Sequence, residues 1–198
     1  MEINDLRWDR WGRHQMSNGQ YLRSNEFKGP EGDIIIHKNR SMLNCYYLLF
    51  EVFRPQSVFE IGVKEGGSLC LWYEVLDCRV VGVDNDVAQV SSASLKYMKG
   101  KDILVVHVDA YNPEAVSRYR IQGGADLIID DCQHTIEQIP YNLRIHWDHV
   151  APQGRYVIED WKALHPTHQE QLLKEISTIV PKGIVVTVHE PMIVIVKE

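Results

Sequence analysis

What this sequence lacks narrows what it can be. No apolar run approaches the roughly 20 residues that span a bilayer. The first 15 residues, MEINDLRWDRWGRHQ, are charged and aromatic where a secretory leader would carry an apolar core. The expectation is a cytoplasmic protein that engages no membrane. Basic excess is missing too: 21 Lys and Arg stand against 27 Asp and Glu, a net charge of −6. A nucleic-acid backbone is therefore not the expected partner, because such binding needs a basic face. The four cysteines (Cys45, Cys70, Cys78 and Cys132) form no C-x-x-C pair and no zinc spacing with histidine, so reduced, mostly buried thiols are expected. Cys132 as a nucleophile finds no other thiol-protease or redox signature beside it. Internal repeats and low-complexity linkers are absent as well.

What is present is an alternation. From Ser57 onward, short β-branched runs are separated by helix-length intervals: SVFEI (57–61), RVVGVD (79–84), DILVVHVD (102–109), ADLIID (125–130) and RYVIED (155–160). This pattern predicts an α/β doubly wound sheet, mostly parallel, with helices on both faces. Two further runs, GIVVTVHE (183–190) and MIVIVKE (192–198), are parted only by Pro191. That gap is too short for a crossover helix and predicts a C-terminal antiparallel hairpin. The expected fold is thus Rossmann-like and seven-stranded, with one antiparallel strand. With 198 residues the chain suits one domain. Residues 1–54 would form a lid or interface segment and a helix, and 55–198 the core. Within the segment, SNGQYLRSNEFKGPEGD reads as irregular or as a short helix with loops. RSMLNCYYLLFEVF (40–53) has apolar residues at helical spacing, stopped by Pro55.

In such a sheet ligands bind beyond the carboxyl ends of the strands. The first strand ends in EIGVKEGGSLCLW, where Glu60 is followed by Gly62, Gly66, Gly67 and Ser68. The dinucleotide fingerprint G-x-G-x-x-G fails, because Lys64 stands at its middle glycine. The turn reads either as a close backbone approach to a ligand or as a tight strand-to-helix turn. Asp84, about 20 residues on at the next strand tip, suits the two hydroxyls of a nucleoside ribose or simply caps the next helix. Asp109 ends the third strand, where it faces an adenine edge or caps the helix after DAYNPE.

The fourth and fifth strands deliver Asp130–Asp131 and Glu159–Asp160. Four carboxylates on neighbouring strand tips repel one another unless a cation neutralises them or protons are taken up. A hard divalent ion such as Mg²⁺ or Mn²⁺ fits oxygen donors of this kind. The competing arrangement is an ion-pair cluster with Lys162, Arg155 or Arg144. His134 follows at the expected start of the next helix, either as a base beside a metal-bound hydroxyl or as an N-terminal histidine bonded to the aspartates. His146 and His149 read as surface or interface residues. Trp8, Trp11, His14, Tyr21, His37 and Lys38 are candidates for the acceptor side or a subunit contact.

Taken in order, FEIGVKEGGSL, VVGVD, DLIIDDCQHT and GRYVIEDW resemble the class I S-adenosylmethionine-dependent methyltransferases. More narrowly, residues 55–162 are similar to the metal-dependent sugar O-methyltransferases of macrolide biosynthesis (macrocin and mycinamicin type) and to the related cephalosporin hydroxylase family. The resemblance implies S-adenosylmethionine and Mg²⁺ (or Mn²⁺) as cofactors and a small-molecule hydroxylated acceptor, a sugar or natural product. Gly62, Gly66 and Ser68 would surround the methionine part of the cofactor, with Glu60 beside them. Asp84 would hold the ribose and Asp130 the methionine amine, and Asp109 stays a cofactor candidate from its strand tip alone. Asp131, Glu159 and Asp160 would hold the metal, and His134 with Asp131 would carry the chemistry. A homo-oligomer is expected. The family commonly has DDGSH where this chain has DDCQH, so Cys132 and Gln133 mark its departure. An oxidoreductase component and a catalytically silent cofactor-binding subunit are the alternative readings.

Overall fold

The computed structural model describes residues 13–119, 121–182 and 184–198, so Trp8 and Trp11 lie outside the described residues. Seven strands form the main sheet: β4 (Ser57–Ile61), β5 (Arg79–Asp84), β6 (Ile103–His107), β7 (Ala125–Asp130), β8 (Val150–Glu159), β9 (Val185–Val188) and β10 (Met192–Val196). Their order is β6-β5-β4-β7-β8-β10-β9, and β10 runs antiparallel to both of its neighbours. The chain winds outward from β4 to β6, then returns to continue at β7 on the other side. The carboxyl ends of β4 and β7 therefore flank the switch point where this class of sheet opens a crevice.

Helices cover both faces. On one lie α1 (Arg40–Val52), α2 (Gly67–Leu76) and α3 (Ser92–Met98), packed around Tyr46, Phe50, Leu69 and Trp72. On the other, α4 (Pro113–Ser117), α5 (Gln138–His146) and α6 (Pro166–Ile179) bury Val116, Leu143, Leu172 and Ile176. Burial of a large apolar side chain contributes about 1.5–3 kcal/mol relative to leaving it exposed, and all five residues of β4 are buried, which suits a central parallel strand. Helix α1 starts where Asn39 accepts a hydrogen bond from the Met42 amide at 2.8 Å. It buries Met42, Leu43, Tyr46 and Phe50 along one stripe. Among the described residues, no helix is long and apolar enough to cross a membrane.

Two segments differ from expectation. The polar N-terminal stretch forms a small three-stranded sheet of β1 (Arg13–Gln15), β2 (Tyr21–Ser24) and β3 (Ile34–Ile36), with β2 and β3 parallel. Strands of three or four residues are too short to show a period, yet Leu22, Ile34 and Ile36 are fully buried and anchor the sheet. Gly67 makes this docking possible, because a Cβ there would lie 1.8 Å from the Ile35 carbonyl oxygen. The second difference is at α5, which begins at Gln138 rather than at His134. The intervening turn is held by Thr135, whose Oγ1 accepts from the Gln138 amide at 3.3 Å.

Candidate active site

A cavity of about 480 Å³ opens at the switch point, lined from both directions of the sheet and from the N-terminal segment. That size suits a cofactor or small substrate. At one end stands Asp84. Its Oδ2 accepts from the amides of Val63 (2.7 Å) and Lys64 (3.0 Å), and its Oδ1 from that of Asp86 (2.8 Å). Burial alone would raise its pKa, but these backbone donors outweigh it and hold the carboxyl below the ordinary range. Gly62, Ser68 and Asp109 also line the cavity; Glu60, Gly66 and Asp130 do not. The Gly62 requirement comes from the chain itself: φ is 93°, and a Cβ would lie 2.2 Å from the Asp131 carbonyl oxygen.

At the other end the strand tips part company. Asp131 and Asp160 line the cavity with His134, Gln133 and Cys132. Asp160 sits just past β8 in a left-handed conformation (φ 47°), tolerated by aspartate more readily than by most residues. The His134 Nε2 lies 3.6 Å from Asp131 Oδ1 and 4.0 Å from Asp160 Oδ2. That nitrogen is shut off from solvent and has no hydrogen-bond partner. Among the described residues, Asp131, His134 and Asp160 offer ligand atoms that all lie within 4.8 Å of one another. The two carboxylates fit a divalent cation, with the orphaned imidazole beside them.

Glu159 and Asp130 are placed elsewhere. Glu159 is buried, its Oε1 accepting from the Tyr46 hydroxyl at 2.5 Å and its Oε2 from Lys38 Nζ at 2.7 Å. The same ammonium reaches Asp131 Oδ2 at 2.6 Å and Glu60 Oε1 at 3.4 Å. Glu60 Oε2 accepts from Trp72 Nε1 at 3.1 Å. Burial works against the charge on Lys38, but Asp131, Glu159 and Glu60 outweigh it and hold its pKa well above the ordinary lysine value. Burial, in turn, raises Glu159 and Glu60. Asp130 lies on the opposite sheet face, 3% exposed, accepting from Cys132 Sγ (3.1 Å), Asn142 Nδ2 (3.0 Å) and the Tyr156 hydroxyl (3.0 Å). Burial lifts its pKa to about 6, against the pull of those three donors. Burial, with Asp130 beside it, also pushes the Cys132 thiol up, which keeps it protonated and poorly nucleophilic.

Residues 21–174 match the model of the rhamnosyl O-methyltransferase/CmcI family. The chain belongs to that family. Among solved structures it is similar to MycE, a methyltransferase from the mycinamycin biosynthetic pathway, in complex with Mg, SAH and mycinamycin VI: 26% identity over 79% of this chain and 49% of MycE, with a TM-score of 0.62. The chain thus spans about half the length of MycE. The fold is shared with CmcI, solved with Mg and SAM, at 17% identity over 82% of this chain and 74% of CmcI (TM-score 0.60). It is shared too with a putative caffeoyl-CoA O-methyltransferase from Staphylococcus aureus, at 13% identity over 82% of this chain and 86% of that one (TM-score 0.62). No curated protein sequence matches the chain.

For a member of this family, three site groups were missed by sequence reasoning. Tyr46 falls there only within the apolar run of the 40–53 helix, Trp72 is not singled out, and Lys38 is only one of several N-terminal candidates. Lys38 meets Asp131 and Glu159 across 93 and 121 residues of chain, a separation no local pattern encodes. His146, expected at the surface, is fully buried on α5 and contacts the Ala110 carbonyl oxygen at 3.3 Å. Burial lowers its pKa to about 4, with His149 adding to the effect.

Proposed function

We propose that this chain is an S-adenosylmethionine-dependent O-methyltransferase that uses a divalent cation, Mg²⁺ or Mn²⁺. One observation carries this reading: a single cavity joins Asp84 at one end to Asp131, His134 and Asp160 at the other. Family membership and the methyltransferase neighbours support it. The acceptor class is a hydroxyl of a sugar or other natural product, supported by the family's rhamnosyl member and by the mycinamycin complex of MycE.

When bound, the sulfonium cofactor supplies the methyl group, and the metal supplies the Lewis acidity that lowers a hydroxyl's pKa. Asp84 would accept hydrogen bonds from the ribose, its charge secured by the Val63, Lys64 and Asp86 amides. Asp131 and Asp160 would hold the cation through oxygens facing the cavity. His134 Nε2, which has no protein hydrogen-bond partner, would take the acceptor's proton as the oxygen attacks. Enclosure by residues from both sides of the switch point would hold donor and acceptor together, and positioning of this kind supplies much of the acceleration.

Titration calorimetry with S-adenosylhomocysteine and NADH, followed by labelled methyl transfer to a panel of glycosides and phenols, tests the proposal. Binding of S-adenosylhomocysteine but not NADH is expected, with transfer stopped by EDTA and restored by Mg²⁺. Full turnover in excess EDTA would remove the metal role. His134→Ala is expected to lower turnover by about 10²–10⁴-fold with cofactor affinity retained; unchanged turnover would remove His134 as base.

A further inference from the structure

We propose that Lys38 is a resident cation that occupies Glu159 and one oxygen of Asp131, confining the divalent ion to the His134–Asp160 side of the cluster. The inference rests on the metal-dependent reading above and concerns which donors that metal receives.

The oxygens can be accounted for one by one. Both Glu159 oxygens are engaged, one by Tyr46 and one by Lys38. Both Glu60 oxygens are engaged, one by Lys38 and one by Trp72. Asp131 is divided: Oδ2 belongs to Lys38 at 2.6 Å, while Oδ1 faces His134 at 3.6 Å. Asp160 lies on the cavity side and meets His134, and none of its oxygens bonds to Lys38. One ammonium, 1% exposed, thus serves the inner carboxylates, and the outer group remains for a metal. Trp72 and Tyr46 close the inner side with neutral donors, and the ammonium, at the floor of the cavity, is almost fully buried.

The position of Lys38 gives the N-terminal segment a role in the centre. It lies between β3 and the Asn39 cap of α1, so the small sheet delivers the charge. An ammonium and a divalent ion that share Asp131 repel each other, which weakens metal binding relative to the same carboxylates without the lysine. Lys38 is in this sense a positioning residue: it acts through Asp131 and Glu159, and sets the ligand set and the affinity.

The test uses Mn²⁺ alone, titrated into the full chain and followed by electron paramagnetic resonance. Lys38→Met is expected to bind Mn²⁺ more tightly than the wild type, by about tenfold or more, and Mn²⁺ is expected to raise its melting temperature more than it raises the wild type's. A lysine with a purely structural role would leave the affinity unchanged or weaken it. If Lys38→Met does not fold without metal, Lys38→Met/Glu159→Gln removes the stranded carboxylate along with the ammonium and carries the same titration. It too is expected to exceed the wild type in affinity, and weaker binding would overturn the proposal by making Glu159 a ligand. Equal binding by wild type and Lys38→Met overturns the role of Lys38 and leaves the metal centre standing. Binding by neither, with Asp160→Asn indistinguishable from wild type, overturns the metal centre itself.

Discussion

The two faces of the sheet bury carboxylates in different ways. On the α1–α2 face, Glu60 and Glu159 sit against a lysine ammonium, a tyrosine hydroxyl and an indole N–H. On the α5 face, Asp130 sits against a thiol, an amide and a tyrosine hydroxyl, all neutral. Both sites face the same desolvation penalty. The first meets it with the counter-charge of Lys38. The second meets it with dipoles and a raised pKa, and Asp130 takes no part in the cavity. Neighbouring residues of one DD pair therefore end in different chemistries because successive strand positions point to opposite faces.

The largest effect should come from removing the counter-charge. In EDTA, Lys38→Met is expected to lower unfolding free energy by about 3–5 kcal/mol, the range for stranding buried charges. Tyr156→Phe, which removes one neutral donor from Asp130, should cost about 1 kcal/mol. Urea unfolding of both variants at neutral pH measures the difference. Equal losses would mean that the two faces are not distinguished by charge.

Next comes pH. Asp130, with a folded pKa of about 6 against 3.8, holds its proton more tightly in the native state. Its contribution is complete at low pH and is lost as pH rises through about 6. His146, at about 4 against 6.5, behaves in the opposite sense. Its contribution is present above 6.5 and is lost as pH falls toward 4. Each amounts to about 3 kcal/mol across its window, so in the wild type they offset one another. Asp130→Asn should lose about 3 kcal/mol more than the wild type between pH 7 and pH 4. His146→Leu should lose correspondingly less over that interval. Parallel stability curves for all three proteins would break this account.

The same contrast explains what could be read from the sequence. β4, β5 and β7 match their apolar runs residue for residue, because a buried parallel strand must be apolar on both faces. The closing hairpin follows from connection length alone. Asp84 is legible because a strand tip is a local feature. Which face an acid at such a tip takes is not local: the DD pair shows two acids but not that one belongs to the cavity and the other to α5. The buried lysine is less legible still, since its partners come from two strands and from the turn that follows a third.

The smallest effect tests how Lys38 is held. Asn39 directly follows it and caps α1 through the Met42 amide. Asn39→Ala should cost about 1 kcal/mol of stability, the usual value for a lost N-cap. If the ammonium is fixed by its three carboxylates, as the 2.6 Å and 2.7 Å contacts indicate, loosening the start of the helix leaves it in place. Mn²⁺ affinity in Asn39→Ala should then equal that of the wild type. If the helix start holds Lys38 instead, the variant should release Asp131 and tighten Mn²⁺ binding toward the Lys38→Met value. A modest stability loss with unchanged metal affinity places the constraint in the sheet edge and makes the N-terminal segment the carrier of the charge, with the carboxylates fixing where it sits.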